Sequence, residues 1–287
     1  MIRIVNLLTA TAVQPIGIFD SGVGGLSVLR HIQDSFPSEN LLYFADQAHV
    51  PYGSRSLVEI RHFSEEITRF LLNQGSKVIV VACNTASAAA LTTLRKTFPQ
   101  VLFVGMEPAV KPAALKTRSG KVGVLATENT FASPRYAHLM SRFAQDVEVL
   151  EDPCRGLVPL IEAGQITHKE TKQLLRGVLT PMLAVGVDTL VLGCTHYPFI
   201  RPVIEKIIEA DTRGLPVTII DPAPAVAQQT GNVLAQRQLL APSGQSGSTE
   251  LFTSASSHSL ADLSEQLLGQ RMIVKEVIWR ESQLASA

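Results

Sequence analysis

Two cysteines end closely similar stretches of this chain, and their chemistry frames the reading of the rest. Val78-Ile79-Val80-Val81-Ala82-Cys83-Asn84-Thr85 and Thr189-Leu190-Val191-Leu192-Gly193-Cys194-Thr195-His196 are both aliphatic runs that break into Cys and small polar residues before a helical pattern. Such a run reads as a buried strand delivering a thiol to the mouth of a parallel sheet. A free thiol, with a pKa of about 8.5, is a poor base until its surroundings stabilise the anion. A strand-to-helix junction does so with unpaired N–H groups and the helix dipole. Two thiols on opposite sides of one carbon suit inversion: one takes a proton from one face and the other returns one to the opposite face. That chemistry calls for no metal and no cofactor.

Several polar residues stand beside these runs. Asp20 follows an apolar segment and precedes Ser21-Gly22-Val23-Gly24-Gly25. It reads either as helix-capping and turn chemistry or as a carboxylate able to take a proton from Cys83 or hold an ammonium group. Pro51-Tyr52-Gly53-Ser54 reads as a loop, one that can turn N–H groups toward a carboxylate. Asn84, Thr85 and Thr195 offer neutral hydrogen-bond partners. His196 lies two residues from Cys194, so its action on that thiol depends on the loop geometry, and a Cys–His hydrolase stays open. Glu162 ends an apolar stretch and reads as a solvated helix-end charge or a site acid. Zinc held by Cys83, Cys194 and His196 lacks the paired Cys-x-x-Cys or His-x-x-x-His spacing. Cys154 has no partner in the repeated pattern and is assigned a structural role; His31, His49 and His62 read as surface or packing residues.

The cysteine stretches belong to a longer duplication. Gly17-Ile18-Phe19-Asp20-Ser21 aligns with Gly123-Val124-Leu125-Ala126-Thr127, Val50-Pro51-Tyr52 with Val158-Pro159-Leu160, and Glu107-Pro108 with Asp221-Pro222. The landmarks recur in one order at a slowly growing offset, as small loop insertions would produce. Strands are expected at 16–19, 41–45, 77–82, 101–104, 121–126, 147–150, 188–192 and 217–221, with an amphipathic helix over 57–73. This βαβα alternation predicts an α/β protein of two pseudo-symmetric domains with mainly parallel sheets. The expected boundaries are 1–107 plus 222–287 for a discontinuous first domain and 108–221 for the second. The tail should return to the first domain through Ile273-Val274-Lys275-Glu276-Val277, with Ser/Gly-rich 242–258 before it and a mobile loop at 241–248. Ligands of open α/β sheets sit at the carboxyl ends of the strands, so two such domains facing each other would bring both cysteines to one cleft.

The 287 residues are 46% hydrophobic and 17% charged, a globular composition rather than a disordered one. The 25 basic and 25 acidic residues cancel, and no basic stripe appears, which argues against nucleic acid as the main partner. Apolar runs are strand-sized, so no membrane association is expected. Polar residues interrupt Met1–Val13, against a signal peptide. Three widely spaced cysteines suit a reducing compartment, and the cytoplasm is the expected location. Gly22-Val23-Gly24-Gly25 is not a dinucleotide fingerprint, and no phosphate loop of the Walker type occurs.

The segments Gly17–Val28, Pro51-Tyr52-Gly53, Val80–Ser87 and Val191–Pro198 resemble, in order, the signatures of glutamate racemases, within the aspartate/glutamate racemase family. The resemblance spans about residues 15–240. It implies cofactor-independent interconversion of L- and D-glutamate, supplying D-glutamate for peptidoglycan. By the same resemblance, Cys83 would act on D-glutamate with help from Asp20, and Cys194 on L-glutamate with help from Glu162 and His196. Asp20, Ser21, Tyr52, Gly53, Asn84, Thr85, Thr195 and His196 would bind substrate, with no metal. Lys111-Pro112-Ala113 resembles a segment of enzymes responsive to a peptidoglycan precursor. A homodimer stays open, and so does an aspartate or hydantoin racemase; a two-lobed binding protein is the reading from another class.

Overall fold

The computed structural model describes residues 10–211, 216–244 and 246–286. Most of the leading segment, residues 1–9, lies outside them, so the reading of Met1–Val13 is left there. In chain order the elements begin with β1 (Ile16–Asp20), α1 (Leu26–Ser35), β2 (Leu41–Ala45), α2 (Leu57–Asn73), β3 (Val78–Val81), α3 (Asn84–Thr97) and β4 (Phe103–Gly105). They continue with α4 (Val110–Lys116), β5 (Lys121–Leu125), α5 (Glu128–Phe131), α6 (Pro134–Phe143), β6 (Glu148–Asp152), α7 (Leu157–Glu162), α8 (Lys169–Ala184), β7 (Thr189–Leu192), α9 (Arg201–Asp211) and β8 (Thr218–Ile220). The last are α10 (Ala223–Gln236), β9 (Thr249–Thr253), α11 (Ser257–Leu268), β10 (Val274–Arg280) and β11 (Gln283–Ser286).

Local chemistry accounts for these elements. β1 up to Phe19, β2 and β3 are apolar, and all three strands are buried throughout, the mark of strands covered on both faces. Leu57–Asn73 is a helix because Ile60, Phe63, Ile67 and Leu71 share one buried stripe. A capping box starts it: Glu59 N–H donates to Ser56 Oγ, and the Glu59 carboxylate accepts from Ser56 N–H.

The chain divides into two compact units, residues 1–106 with 223–287 and residues 107–222. In the first unit the strands run β11-β10-β9-β2-β1-β3-β4, and in the second β6-β5-β7-β8. Every pairing is parallel except β10 with β11. The order β2-β1-β3-β4 is repeated as β6-β5-β7-β8, so the duplication read from sequence landmarks is also a duplication of sheet order. In each unit the chain steps outward from its first strand, then crosses back to the other side. Right-handed crossovers then place the helix before the reversal on one face of the sheet and the helices after it on the other. Accordingly α1 packs with α10 and α11, whereas α2 packs with α3.

The C-terminal return differs from expectation in two places. The stretch 242–258 contains β9, which pairs with β2 along Leu41↔Thr249 to Ala45↔Thr253, and β10 then pairs with β9. The segment expected to be a mobile loop is tied down at its ends. Ala241 N–H donates to Glu39, Gly247 N–H to the Pro37 carbonyl, and Ser248 N–H to Asn40. No helix among the described residues is long and apolar enough to cross a membrane.

Candidate active site

Cys83 follows β3 and is the N-cap of α3. Ala86 N–H points at its Sγ from 3.4 Å, and the helix dipole adds partial positive charge there. The sulfur also lies 3.8 Å from Ser21 Oγ, at the end of the neighbouring strand β1. Ala82 N–H donates to the Phe19 carbonyl, which closes β3 onto β1 at the carboxyl end where the strand order reverses. Asp20, fully buried, accepts Gly22 N–H at 3.0 Å, so its carboxylate shapes the turn that presents Ser21. Gly25 has to be glycine here: a Cβ would stand 2.6 Å from Asp20 Cβ and 2.9 Å from Tyr43 Oη.

Asn84 and Thr85 are buried in the first turn of α3. Asn84 donates through Nδ2 to Met106 Sδ, while its buried Oδ1 has no hydrogen-bond partner among the described residues. Tyr52 opens the short helical turn 52–54, which also carries Gly53. Its hydroxyl donates to Asp46 Oδ2 at 2.6 Å. Burial, then the Asp46 charge, pushes the Tyr52 phenol well above its ordinary value, so it stays protonated as a donor. Cys83 and Asp20 are close enough to add to that upward push.

The second unit arranges its thiol differently. Gly193 N–H donates to the Leu125 carbonyl at 2.7 Å, matching Ala82 in the first unit. A Cβ at Gly193 would stand 2.8 Å from that same carbonyl oxygen, so this close approach excludes any side chain. Cys194 follows, but no helix starts on its sulfur: a short helical turn at 197–200 precedes α9. Instead Cys194 Sγ lies 3.6 Å from His196 Nδ1, and His196 Nε2 lies 2.6 Å from Glu162 Oε1. A carboxylate only accepts, so Nε2 carries a proton and donates. Burial works to push the imidazole down, but the hydrogen bonds to Cys194 and Glu162 and their negative charge outweigh it, holding His196 well above its ordinary value. In the imidazolium form, Nδ1–H faces the sulfur as a donor. Glu162 closes α7, the first helix after β6, so the acid reaches the thiol through His196.

Thr195 is buried beside Cys194 and His196. Cys154 is buried, in the left-handed backbone region at φ 46°, with its N–H on Asp152 Oδ1. Burial and then Asp152 push its thiol up, which keeps it neutral and suits the structural role assigned to it. Asp46 is not among the residues that the sequence pattern marks as candidates. An acid at the carboxyl end of a buried strand, where Asp20 also stands in β1, is the available signal. His49, read as a packing residue, stacks on Phe63 at 3.9 Å between ring centroids and donates to Asp46.

A family description, Asp/Glu/Hydantoin racemase, matches residues 17–230. The chain is 54% identical over 241 residues to the glutamate racemase of Pseudomonas paraeruginosa, covering 84% of this chain and 89% of that protein. It is 49% identical to the glutamate racemase of Stutzerimonas stutzeri, covering 93% and 98%. Among solved structures, glutamate racemase RacE1 of Bacillus anthracis superposes with a TM-score of 0.81 at 32% identity, covering 94% of this chain and 98% of that one. The Escherichia coli glutamate racemase, solved with L-glutamate and the activator UDP-MurNAc-ala, gives 0.76 at 30% identity, covering 96% and 99%.

Proposed function

The chain belongs to the Asp/Glu/Hydantoin racemase family and is an amino-acid racemase, and from that premise we propose that its substrate is glutamate, inverted by Cys83 and Cys194 without a cofactor. The observation that carries the reading is the repetition of a buried thiol at the same strand end of two sheets of the same order. Cys83 serves one face of the α-carbon and Cys194 the other. One thiolate removes the α-proton; the opposite thiol delivers its own proton to the planar carbanion, and the two exchange roles for the reverse direction. Asp20 and Ser21 shape the Cys83 side, and the Glu162–His196 pair feeds protons to and from Cys194. Asn84 Oδ1, buried without a partner among the described residues, suits the substrate ammonium. The backbone N–H groups of Tyr52 and Gly53, with Thr85 and Thr195, supply donors for the carboxylates. The product D-glutamate would serve peptidoglycan synthesis in the cytoplasm.

Regulation by a peptidoglycan precursor extends this reading. Lys111 Nζ and Arg142 lie 5.4 and 4.9 Å from the Phe143 ring centroid. With Asp146 they border a groove of about 280 Å³, and its two cations against one acid suit an anionic, UDP-linked ligand. Purified protein given L-glutamate should lose optical activity without added cofactor, and D-aspartate or L-aspartate should turn over far more slowly. Turnover of aspartate in preference to glutamate would assign the other substrate, and turnover of neither would end the proposal.

A further inference from the structure

Asp46 is fully buried and collects hydrogen bonds from two separate parts of the first unit. From its own loop come His49 Nδ1 at 2.9 Å and the Tyr52 hydroxyl at 2.6 Å, both on Oδ2. From the C-terminal return come Ser254 Oγ at 2.7 Å and Trp279 Nε1 at 2.8 Å, both on Oδ1. A carboxylate offers about four acceptor sites, so these donors fill it and fix its orientation. The same return stitches the loop elsewhere: Ser254 N–H donates to the Ala45 carbonyl, Ala48 N–H to Ser254 Oγ, and Thr253 Oγ1 to Gln47 Oε1. Trp279 also stands edge-on to Phe63 and His49, at centroid distances of 5.5 and 4.9 Å. The loop between β2 and the Tyr52 turn is thus held by side chains more than 200 residues later in sequence.

We propose that Trp279, through Asp46, is a positioning residue for substrate binding, so that the C-terminal hairpin holds Tyr52 and Gly53 in place for the substrate. This rests on the proposed role of the Tyr52 turn in binding glutamate. The indole N–H is the decisive group, because a ring without it fills most of the same space and leaves Asp46 Oδ1 short of one donor. Losing one hydrogen bond to a charged group is an effect on the order of tenfold.

The test compares steady-state kinetics of wild type and Trp279→Phe with both glutamate enantiomers. KM should rise about tenfold while kcat stays within about twofold and the folded protein keeps its near-native circular dichroism. Ser254→Ala, which removes the other tail donor at little steric change, should raise KM in the same sense by a smaller factor. It also serves if the tryptophan variant fails to fold. Trp279 is the sole tryptophan of the chain, so its emission in wild type should change on titration with glutamate, and the change should shrink in Tyr52→Phe. Unchanged KM in both folded variants, or loss of stability with wild-type kinetics, overturns the proposal. A wild-type protein inactive on glutamate fails the proposed function instead, and the two failures are distinguishable.

Discussion

The two units build one sheet order twice yet equip their thiols by different means. In the first, backbone does the work: Cys83 caps a helix and takes an N–H from Ala86, with Ser21 and Asp20 on the adjoining strand. In the second, side chains do it: Cys194 has His196 beside it and Glu162 behind that. A helix N-terminus is a fixed partial charge that stabilises an anion but cannot carry a proton. An imidazole can do both. The repeated sheet order therefore keeps the place of the thiol while the groups around its sulfur differ.

The comparison breaks most decisively at the sulfurs. Cys83→Ser and Cys194→Ser should each lower racemisation by more than a hundredfold, in line with the roughly 10²–10⁴ supplied by general acid–base groups, as read from initial rates with each enantiomer. Near-full activity in either variant removes that thiol from the mechanism.

The amino ends of the same strands offer a second contrast. Just before β3, Lys77 is buried with Glu39 at 2.6 Å and also donates to the Leu239 carbonyl. Just before β7, Asp188 instead accepts from Thr117 Oγ1 and the N–H groups of Arg118 and Ser119. Lys77→Ala should destabilise the protein by roughly 3–5 kcal/mol in denaturant unfolding, because it strands a buried carboxylate.

Glu162→Gln tests the proposed relay through His196 in the second unit. It should lower kcat by about tenfold and bring the His196 titration, followed by NMR, down toward its ordinary range. The sign follows from the raised folded value of His196. Its contribution to stability is complete below the unfolded imidazole range of about 6.5 and fades as pH rises through the folded value. A variant histidine that titrates as in wild type removes Glu162 from the relay.

Asp188→Asn should give the smallest effect. Partial burial acts to raise this carboxyl, but the donors around it win and hold it at about 2. Its stabilisation is present above the unfolded range of about 3.9 and is lost as pH falls through about 2. Solvent screening limits it to about 1 kcal/mol, so acid unfolding curves of wild type and variant should converge at the lowest pH.

Much of this was legible in the sequence where the signal is local. The buried strands β1 to β3 read as apolar runs, and α2 shows its helical periodicity. The duplication was legible because turn residues recur at strand ends. β9 was not, since Thr249-Glu250-Leu251-Phe252-Thr253 is short, sits among Ser and Gly, and becomes a strand only by pairing with β2, far away in sequence. The Cys194–His196–Glu162 chain was foreseen only by family resemblance. Its geometry depends on the turn at 197–200 and on where α7 ends, neither of which the spacing between the residues fixes. Nothing near Asp46 in sequence marks its role, because its donors Ser254 and Trp279 belong to the distant return.

The most direct measurement follows the α-hydrogen during early turnover in deuterated water, starting from either protonated enantiomer. Two thiols with separate protons predict product that carries deuterium at the α-carbon while the remaining substrate still carries hydrogen. Product that retains the original hydrogen, or deuterium appearing equally in substrate and product from the start, would contradict a separate base on each face.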